Sequence, residues 1–351
     1  MPPPAERKHA RKPRTRTPGQ VTIAEVAAKA GVSAITVSRA LQTPERVSAE
    51  LRARIEQVVR ELGYVPNRAA RTLASARSHT VVVLVPSLSN TVFIDTLNGI
   101  YDVLRPQGYQ LLIGNTHYSP AEEERLLTTY RAYNPDGFLI TGGDHSSATR
   151  RLLAESGTPT VYMMELDEEH AGPHDLCVGL SQKEAAQTMT RYLLERGYRR
   201  IAFLAAQLDP RTLQRREGYR QVLRAAGRYD PAREVAVPDP STVGLGAELL
   251  DRLLRQAPDC DAVFCCNDDL AQGALFQCQR RGLRVPGQLA IAGFNDLAAS
   301  AWTVPSITTI ATPRYAIGHE AARMLLEAIA GHTPSRTRLD LGFTLMARES
   351  A

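Results

Sequence analysis

Apolar residues recur at helical spacing over residues 21–41, which read VTIAEVAAKAGVSAITVSRAL, and this pattern predicts two short amphipathic helices. Gly31 lies between them and can adopt the left-handed backbone of a tight turn. Thr22 and Glu25 have the spacing of a capping box for the first helix, and Ser33 can cap the second. Such a pair is typical of a helix-turn-helix that enters the DNA major groove, although an ordinary helical hairpin shares the pattern.

A third helix is predicted over residues 48–62, where Ser48 can cap the start and Gly63 ends the apolar stripe. The three helices make a headpiece that we place at residues 21–66. Residues 67–78 also have a helical composition, but a helix of this length is not stable by itself in water. This segment is therefore either a flexible linker or a hinge helix that folds only against DNA.

From residue 79 the pattern changes to short apolar runs that alternate with helical segments, many of which end at glycine. This alternation predicts a parallel sheet covered by helices on both faces. Residues 79–351 are many for one hydrophobic core, so we expect two α/β lobes with a cleft between them. The apolar runs are Val81–Val85, Gln110–Ile113, Gly137–Ile140, Thr160–Met163, Ile201–Ala205, Ala262–Cys266 and Leu289–Ala292.

The charge of the 351-residue chain is unevenly distributed. The net charge is +5, but residues 1–77 hold 15 Lys and Arg against 6 Asp and Glu, so the remainder is mildly acidic. A basic head is typical of nucleic-acid binding; a basic tail alone could equally be a solvated arm or a membrane-surface patch. The helices behind the tail favour DNA. Residues 1–20 are rich in Pro and Arg, so we expect a disordered tail and no secretory signal.

Several other function classes find little support in the sequence. No apolar stretch approaches the length of a membrane span, and the cysteine usage favours a reducing cytoplasm. No GxGxxG, P-loop or GxSxG motif marks an enzyme, so we assign no catalytic residue and expect no cofactor. His170 and His174 are separated by Gly172-Pro173, which breaks any helix, so no metal site is expected. The cysteines form no CxxC pair and suggest a reducing compartment without disulfides: Cys177, Cys260, Cys265, Cys266 and Cys278.

Motifs distributed along the whole chain from Val21 resemble the LacI/GalR family of bacterial transcriptional regulators. In the headpiece they are the run over residues 21–41, then GYVPN over 63–67, then Ala70 to Leu73. In the body they are Pro86 with Ser89-Asn90 and Phe93, Asp136-Gly137, Arg215 with Gly218-Tyr219, Asn267-Asp268 with Gly273, Ile291 to Phe294, and Leu341-Gly342.

The resemblance implies a helix-turn-helix headpiece, a hinge helix and a two-lobed α/β core like a type I periplasmic sugar-binding protein. In this family the chain crosses between the lobes more than once. We therefore expect one lobe at about 79–178 plus 309–335 and the other at about 179–308 plus 336–346. The resemblance also implies a homodimer on a near-palindromic DNA operator. The C-terminus has no leucine-rich heptads, so a tetramer formed by an added helical tail is not expected.

The resemblance places the second headpiece helix in the major groove, with Ala34, Ile35 and Arg39 at base-reading positions. Small or apolar side chains can meet thymine methyl groups, and arginine can bind guanine through two hydrogen bonds. Ile35 could instead be buried, but helical phase puts it opposite Val37. Leu73 matches a leucine that wedges into the minor groove, although it could also pack on the core. The candidate DNA contacts are Thr22, Ser33, Ala34, Ile35, Thr36, Ser38, Arg39, Asn67, Arg68, Ala70 and Leu73.

The family core closes on a small-molecule effector, and polar residues at strand ends are the candidate contacts. Amides and carboxylates suit hydroxyl groups, and Phe93 suits a carbon face. Each has a plainer interpretation: Arg215 could lie on a solvated helix face, and Asn267 could simply cap the next helix. The candidate effector contacts are Ser87, Asn90, Phe93, Glu165, Arg211, Arg215, Asn267 and Asn295.

Three segments look most like the gluconate-responsive repressors of this family: DPRTLQRREGY, FCCNDDLAQGALFQCQRRGLRVP and LDLGFTL. Two arginines near the cleft also suit a carboxylate. We therefore expect a repressor of sugar-acid catabolism genes that gluconate or a keto-gluconate releases from DNA. Asn295 stands where many members have Asp. Alternatives left open are a regulator that its ligand activates, a secreted sugar-binding protein and a general chromatin-like DNA binder.

Overall fold

The computed structural model describes residues 21–65, 77–143, 145–166 and 175–351. The expected basic tail, nearly all of the expected hinge helix, and His170 and His174 lie outside the described residues. The chain divides into two compact units, Met1–Ala76 and Arg77–Ala351, which we describe separately. Within the described residues, no helix is long and apolar enough to span a membrane.

The first unit contains the three predicted helices: α1 (Ile23–Ala30), α2 (Ala34–Gln42) and α3 (Ala49–Leu62), with a 3₁₀ turn at Pro44–Arg46. Their predicted ends are confirmed. The hydroxyl of Thr22 accepts from the Glu25 amide at 3.3 Å, and the Glu25 carboxylate accepts from the Thr22 amide at 2.6 Å, which completes the capping box. Gly31 and Gly63 end their helices in left-handed conformations. The small core is formed by Val26, Ala27, Ala30, Val37, Ala40, Ile55 and Val58.

The second unit holds a six-stranded parallel sheet in the order β11-β5-β4-β3-β1-β2. Its strands are β1 (Thr80–Val85), β2 (Gln110–Asn115), β3 (Gly137–Thr141), β4 (Thr160–Glu165), β5 (Leu176–Leu180) and β11 (Arg338–Asp340). The associated helices are α4 (Val92–Leu104), α5 (Pro120–Arg131), α6 (Ser147–Ser156) and α11 (Arg314–Ile329). Alternate residues of β1 belong to different hydrophobic clusters, as expected for a sheet buried on both faces.

A four-stranded parallel sheet in the order β7-β6-β8-β9 forms the other lobe. Its strands are β6 (Ile201–Ala205), β7 (Glu234–Ala236), β8 (Ala262–Cys265) and β9 (Ala290–Ala292). The helices of this lobe are α7 (Gln182–Glu195), α8 (Pro210–Ala225), α9 (Val243–Gln256) and α10 (Asp268–Arg280). A separate antiparallel pair joins β10 (Thr309–Ala311) to β12 (Thr344–Met346).

The seven predicted apolar runs are all strands, and their ends agree to within two residues. The strands β5, β7, β10, β11 and β12 were not predicted. One expected lobe boundary also differs from the observed pairing. We expected residues 336–346 in the second lobe, whereas β11 pairs in parallel with β5 and extends the first sheet. β11 pairs with β5 across more than 150 residues of sequence, and the sequence pattern does not reveal so distant a partner.

Candidate functional site

The exposed face of α2 carries the residues that were predicted to read bases. The side chain of Ile35 is 71% exposed, whereas Val37 is 0% exposed, so the predicted orientation of Ile35 away from the core is confirmed. Ala34 and Arg39 are also exposed. Ser33 caps the helix by accepting from the Thr36 amide at 3.2 Å, which fixes the start of this face.

The remaining candidate DNA contacts fall into two groups. Thr22 uses its hydroxyl in the capping box of α1, and Thr36 and Ser38 are partly buried on α2. The four hinge candidates lie outside the described residues: Asn67, Arg68, Ala70 and Leu73. Their predicted contact with the minor groove stays a prediction.

A cavity of about 120 Å³, which we call the first chamber, lies between the carboxyl ends of the two parallel sheets. Loops that follow β1, β6, β8 and β9 form its walls, as expected for α/β sheets. Seven of the eight candidate effector contacts line it: Ser87, Asn90, Phe93, Arg211, Arg215, Asn267 and Asn295.

Arg215 is the most deeply buried cationic side chain lining the first chamber, with 7% of its surface exposed. Its Nε donates to Oε1 of Gln182 at 2.9 Å, and its Nη1 donates to the Cys266 carbonyl at 2.7 Å. Its guanidinium carbon lies 3.9 Å from the centre of the Phe294 ring. Burial lowers the pKa of Arg215 to about 10, so the side chain stays charged at neutral pH. The plainer interpretation of a solvated helix face is therefore wrong.

Gln182 connects Arg215 to the other lobe. This buried amide donates from Nε2 to the Met164 carbonyl at 3.0 Å, at the end of β4. Its oxygen accepts from Arg215, so one side chain contacts the first sheet and the cation of the second lobe together. Sequence reasoning missed Gln182, since a glutamine at a helix start has no distinctive pattern.

The loop after β1 is held by its own polar side chains. The Ser87 hydroxyl accepts from the Asn90 amide at 3.1 Å, and Oδ1 of Asn90 accepts from the Val92 amide at 3.1 Å. These bonds fix the loop at the chamber and place Phe93 on the first turn of α4, where it is 3% exposed.

Asn267 both caps a helix and lines the chamber. Its Oδ1 accepts from the Leu270 amide at 3.0 Å at the start of α10, so the plainer interpretation as a cap is correct. Its Nδ2 donates to the Ser241 hydroxyl at 2.8 Å. The helix cap therefore fixes the amide beside the cavity, where Ser241 and Asp269 also lie.

Asn295 has an unusual backbone conformation for a residue other than glycine. Its φ is +107°, it is 4% exposed, and its amide donates to the Ile310 carbonyl at 2.8 Å. The guanidinium of Arg314 donates to the Asn295 carbonyl and, at 2.9 Å, to the carboxylate of Asp95 on α4. Strained residues of this kind persist where surrounding contacts hold them, often at functional sites.

Glu165 does not line the first chamber. Its carboxylate accepts from the Gly143 amide at 2.9 Å and from Nε2 of Gln214 at 3.2 Å. It therefore links the end of β4 to α8 of the other lobe. Its contact with an effector stays a prediction. Its carboxylate forms a second hydrogen-bonded connection between the lobes, in addition to that of Gln182.

Sequence reasoning missed Tyr118, Asp209, Ser241 and Asp269, which also line the first chamber. Asp209 follows β6 and caps α8 by accepting from the Thr212 amide at 3.2 Å. Its carboxylate lies 3.4 Å from Nη2 of Arg211. The strand-end rule that identified Asn267 could also have identified Asp209, because both residues follow a buried strand and begin a helix.

Asp268 is fully buried behind the first chamber and holds the loop that carries Asn295. One carboxylate oxygen accepts from the Thr309 hydroxyl at 2.7 Å and the other from the Leu297 amide at 2.6 Å. Burial raises the pKa of Asp268 to about 6, although these hydrogen bonds stabilise the charged form.

We expect an Asp268→Asn variant to be less stable than the wild type, by a margin that grows as the pH falls from 8 to 5. A carboxyl whose pKa is higher in the folded than in the unfolded chain binds its proton mainly in the folded state, which favours folding at acidic pH. The wild type should therefore gain about 1 kcal/mol relative to the variant over this range. Thermal unfolding of both proteins at three pH values measures the difference; a pH-independent margin would contradict the assignment.

A helix-turn-helix unit and a two-lobed core with a polar cleft together define a ligand-responsive, DNA-binding regulator. The model for bacterial regulatory proteins of the lacI family matches residues 22–67, and the periplasmic binding protein-like domain matches residues 190–351. The HTH-type transcriptional regulator GntR of Pseudomonas aeruginosa is 54% identical over 96% of this chain and 97% of its own length. The chain therefore belongs to the LacI family, whose members bind DNA operators and small-molecule effectors.

Solved structures agree with this assignment. The transcription regulator GntR from Chromobacterium violaceum is 52% identical, with a TM-score of 0.75, over 77% of this chain and 98% of that chain. A LacI family regulator from Silicibacter pomeroyi is 34% identical, with a TM-score of 0.86, over 94% of this chain and 99% of that chain. The predicted family, fold class and regulatory rather than enzymatic role are confirmed.

Proposed function

We propose that this regulator represses genes of sugar-acid catabolism and leaves its operator when gluconate, or a closely related sugar acid, occupies the first chamber. The observation that carries this proposal is the buried, charged Arg215 with neutral hydrogen-bond acceptors. Among the described residues, no carboxylate lies within ion-pair distance of its guanidinium. Burying a cation without a counter-ion has a large desolvation free energy, so an anionic ligand would stabilise Arg215.

The charges around Arg215 favour a carboxylate, and the cavity volume favours a ligand of about six carbons. Arg211 lies beside Asp209, which offsets its charge and leaves Arg215 as the stronger attractor for a carboxylate. A guanidinium binds a carboxylate through charge-assisted hydrogen bonds, often in pairs. A cavity of about 120 Å³ has room for on the order of ten water-sized groups, which is the scale of a six-carbon acid.

The rest of the lining suits a chain of hydroxyl groups. Asn90, Ser241, Asn267 and Asp269 offer both donors and acceptors around the cavity, and Phe93 offers one apolar surface. Burial raises the pKa of Asp269. Its carboxyl group lines the cavity, where its oxygens can accept hydrogen bonds from sugar hydroxyls. A polyhydroxylated carboxylate such as gluconate therefore matches both parts of the site.

We infer that two copies of the chain bind a near-palindromic operator as a homodimer. Trp302 is 86% exposed and Val304 is 80% exposed, which is unusual for large apolar side chains. Their loop is tied to α10, because Nε2 of Gln279 donates to the Val304 carbonyl at 2.7 Å. Burial of this patch against a second copy would remove it from water and supply two headpieces for two half-sites.

The exposed face of α2 is proposed to enter the major groove, with Ala34, Ile35 and Arg39 against base edges. Ser33, Thr36, Ser38 and Thr22 are proposed to lie near phosphates. Asn67, Arg68, Ala70 and Leu73 are proposed minor-groove contacts from the hinge. Since its operator is chromosomal, the protein is expected to act in the cytoplasm.

Calorimetric titration of the full chain tests the proposed effector. We expect gluconate or 2-ketogluconate to bind, and ribose and a purine base to fail, because neither carries a carboxylate for Arg215. Gel shifts with promoter fragments from its own genome should then show release of DNA by the acid that binds. Binding of ribose or the purine instead of any sugar acid would overturn the proposed effector, and tighter DNA binding with the acid would overturn the proposed sign.

A further inference from the structure

The cleft contains a second cavity beside the first chamber. This second chamber has a volume of about 330 Å³, compared with about 120 Å³ for the first. It lies toward the ends of β2, β3 and β7, and its wall includes Glu123 and His145. Four residues line both chambers and therefore form the partition between them: Tyr118, Gln207, Asp209 and Arg211.

Tyr118 is the large side chain that the first lobe contributes to this partition. It lines both cavities together with Asp209 and Arg211 of the second lobe. Burial raises the pKa of the Tyr118 phenol despite the nearby arginine, so the group stays protonated and neutral. Tyr118 therefore lies where the two cavities meet.

The backbone that presents Tyr118 is strained. His117 and Tyr118 have φ values of +52° and +56°, and the Ser119 amide donates to the Thr116 carbonyl at 2.9 Å to close the turn. Two successive left-handed residues are favourable for Asn and Gly, and each costs roughly 1 kcal/mol or more for other side chains. A tyrosine kept at such a position is consistent with a role that outweighs this cost.

We propose that Tyr118 sets the length of the effector that the cleft accepts. The ring confines a six-carbon acid to the first chamber and closes the passage to the larger second chamber. Without the ring, the cleft would admit acids with a second sugar unit, whose extra ring would lie in the second chamber. This inference rests on the proposed function, because it assumes a sugar acid bound at Arg215.

The test uses the full chain with Tyr118→Ala, Tyr118→Phe and the control Tyr133→Ala, whose side chain is 61% exposed on the surface. Gluconate is compared by calorimetry with two disaccharide acids, lactobionate (linked through O4) and melibionate (linked through O6). The wild type and the control should bind gluconate at least 100-fold more tightly than either larger acid. Tyr118→Ala should bind one of the larger acids within about tenfold of gluconate. Tyr118→Phe should keep the discrimination and lose up to about tenfold for gluconate, since the ring stays and only the hydroxyl, which could donate to the acid, is removed.

Cooperative thermal unfolding, compared with that of the wild type, shows that the core of each variant is folded. Wild-type protein that accepts the disaccharide acids would overturn the role of Tyr118, as would a folded Tyr118→Ala variant that still rejects both. In either case gluconate binding by the wild type would leave the proposed function intact. If the wild type binds no six-carbon acid, the proposed function is wrong and the inference is overturned with it.

Discussion

Replacing Arg215 with methionine is expected to abolish the response to gluconate while operator binding remains. The methionine roughly preserves the volume of the side chain but removes the buried charge and its hydrogen bonds to Gln182 and the Cys266 carbonyl. Loss of one partner from a buried charge pair costs about 2–5 kcal/mol, so gluconate affinity should fall by about 30-fold or more. Calorimetry measures the affinity, and gel shifts with rising gluconate should show DNA that is no longer released.

A second arginine on the same helix supplies the control. Arg224 lies on α8 with its side chain 51% exposed and pairs with Glu217 at 3.7 Å. Arg224→Met makes the same chemical change at the surface and should leave both gluconate affinity and release unaltered. Arg215→Lys should lie between wild type and Arg215→Met, because lysine keeps the charge but not the planar set of donors. A folded Arg215→Met protein that binds gluconate as the wild type does would contradict the proposed carboxylate contact.

The sequence was most informative where a local rule determines the local structure. Ser33 could be identified as a cap because a hydroxyl before an apolar-periodic run has few other roles, and the Thr36 amide confirms it. The long strands were visible as apolar runs because both faces of the sheet are buried. The three-residue strands β10, β11 and β12 were missed because such short segments show no period, and only their distant partners define them.

In the candidate site, too, residues identified by their position along the chain were predicted, whereas residues defined by contacts with distant segments were not. The strand-end rule identified Asn267 because it depends only on topology, and the family resemblance identified Arg215. Tyr118 was missed because its role depends on a left-handed turn and on Arg211 from the other lobe. Glu165 was a candidate by the same rule; it does not line the first chamber, and its carboxylate accepts from the Gly143 amide and from Gln214. These contacts join segments far apart in the chain, so the sequence pattern does not show them.

Arg39 offers the largest expected effect on DNA binding within the described headpiece. Arg39→Ala should leave the fold unchanged, since the side chain is exposed on α2. If the guanidinium binds a guanine, its loss costs about 1–3 kcal/mol in each half-site, and a symmetric dimer loses it twice. Operator affinity should therefore fall by about 30-fold or more, as measured by fluorescence anisotropy at fixed salt.

The matched control is Arg52→Ala, which removes one exposed positive charge from α3 beside Glu56 at 3.6 Å. Each variant loses one positive charge, and its affinity for random DNA measures the electrostatic part of that loss. Only Arg39→Ala should also lose discrimination among operators substituted at a single base pair. If the two variants weaken operator and random DNA equally, Arg39 acts through its charge alone, and the proposed base contact is wrong.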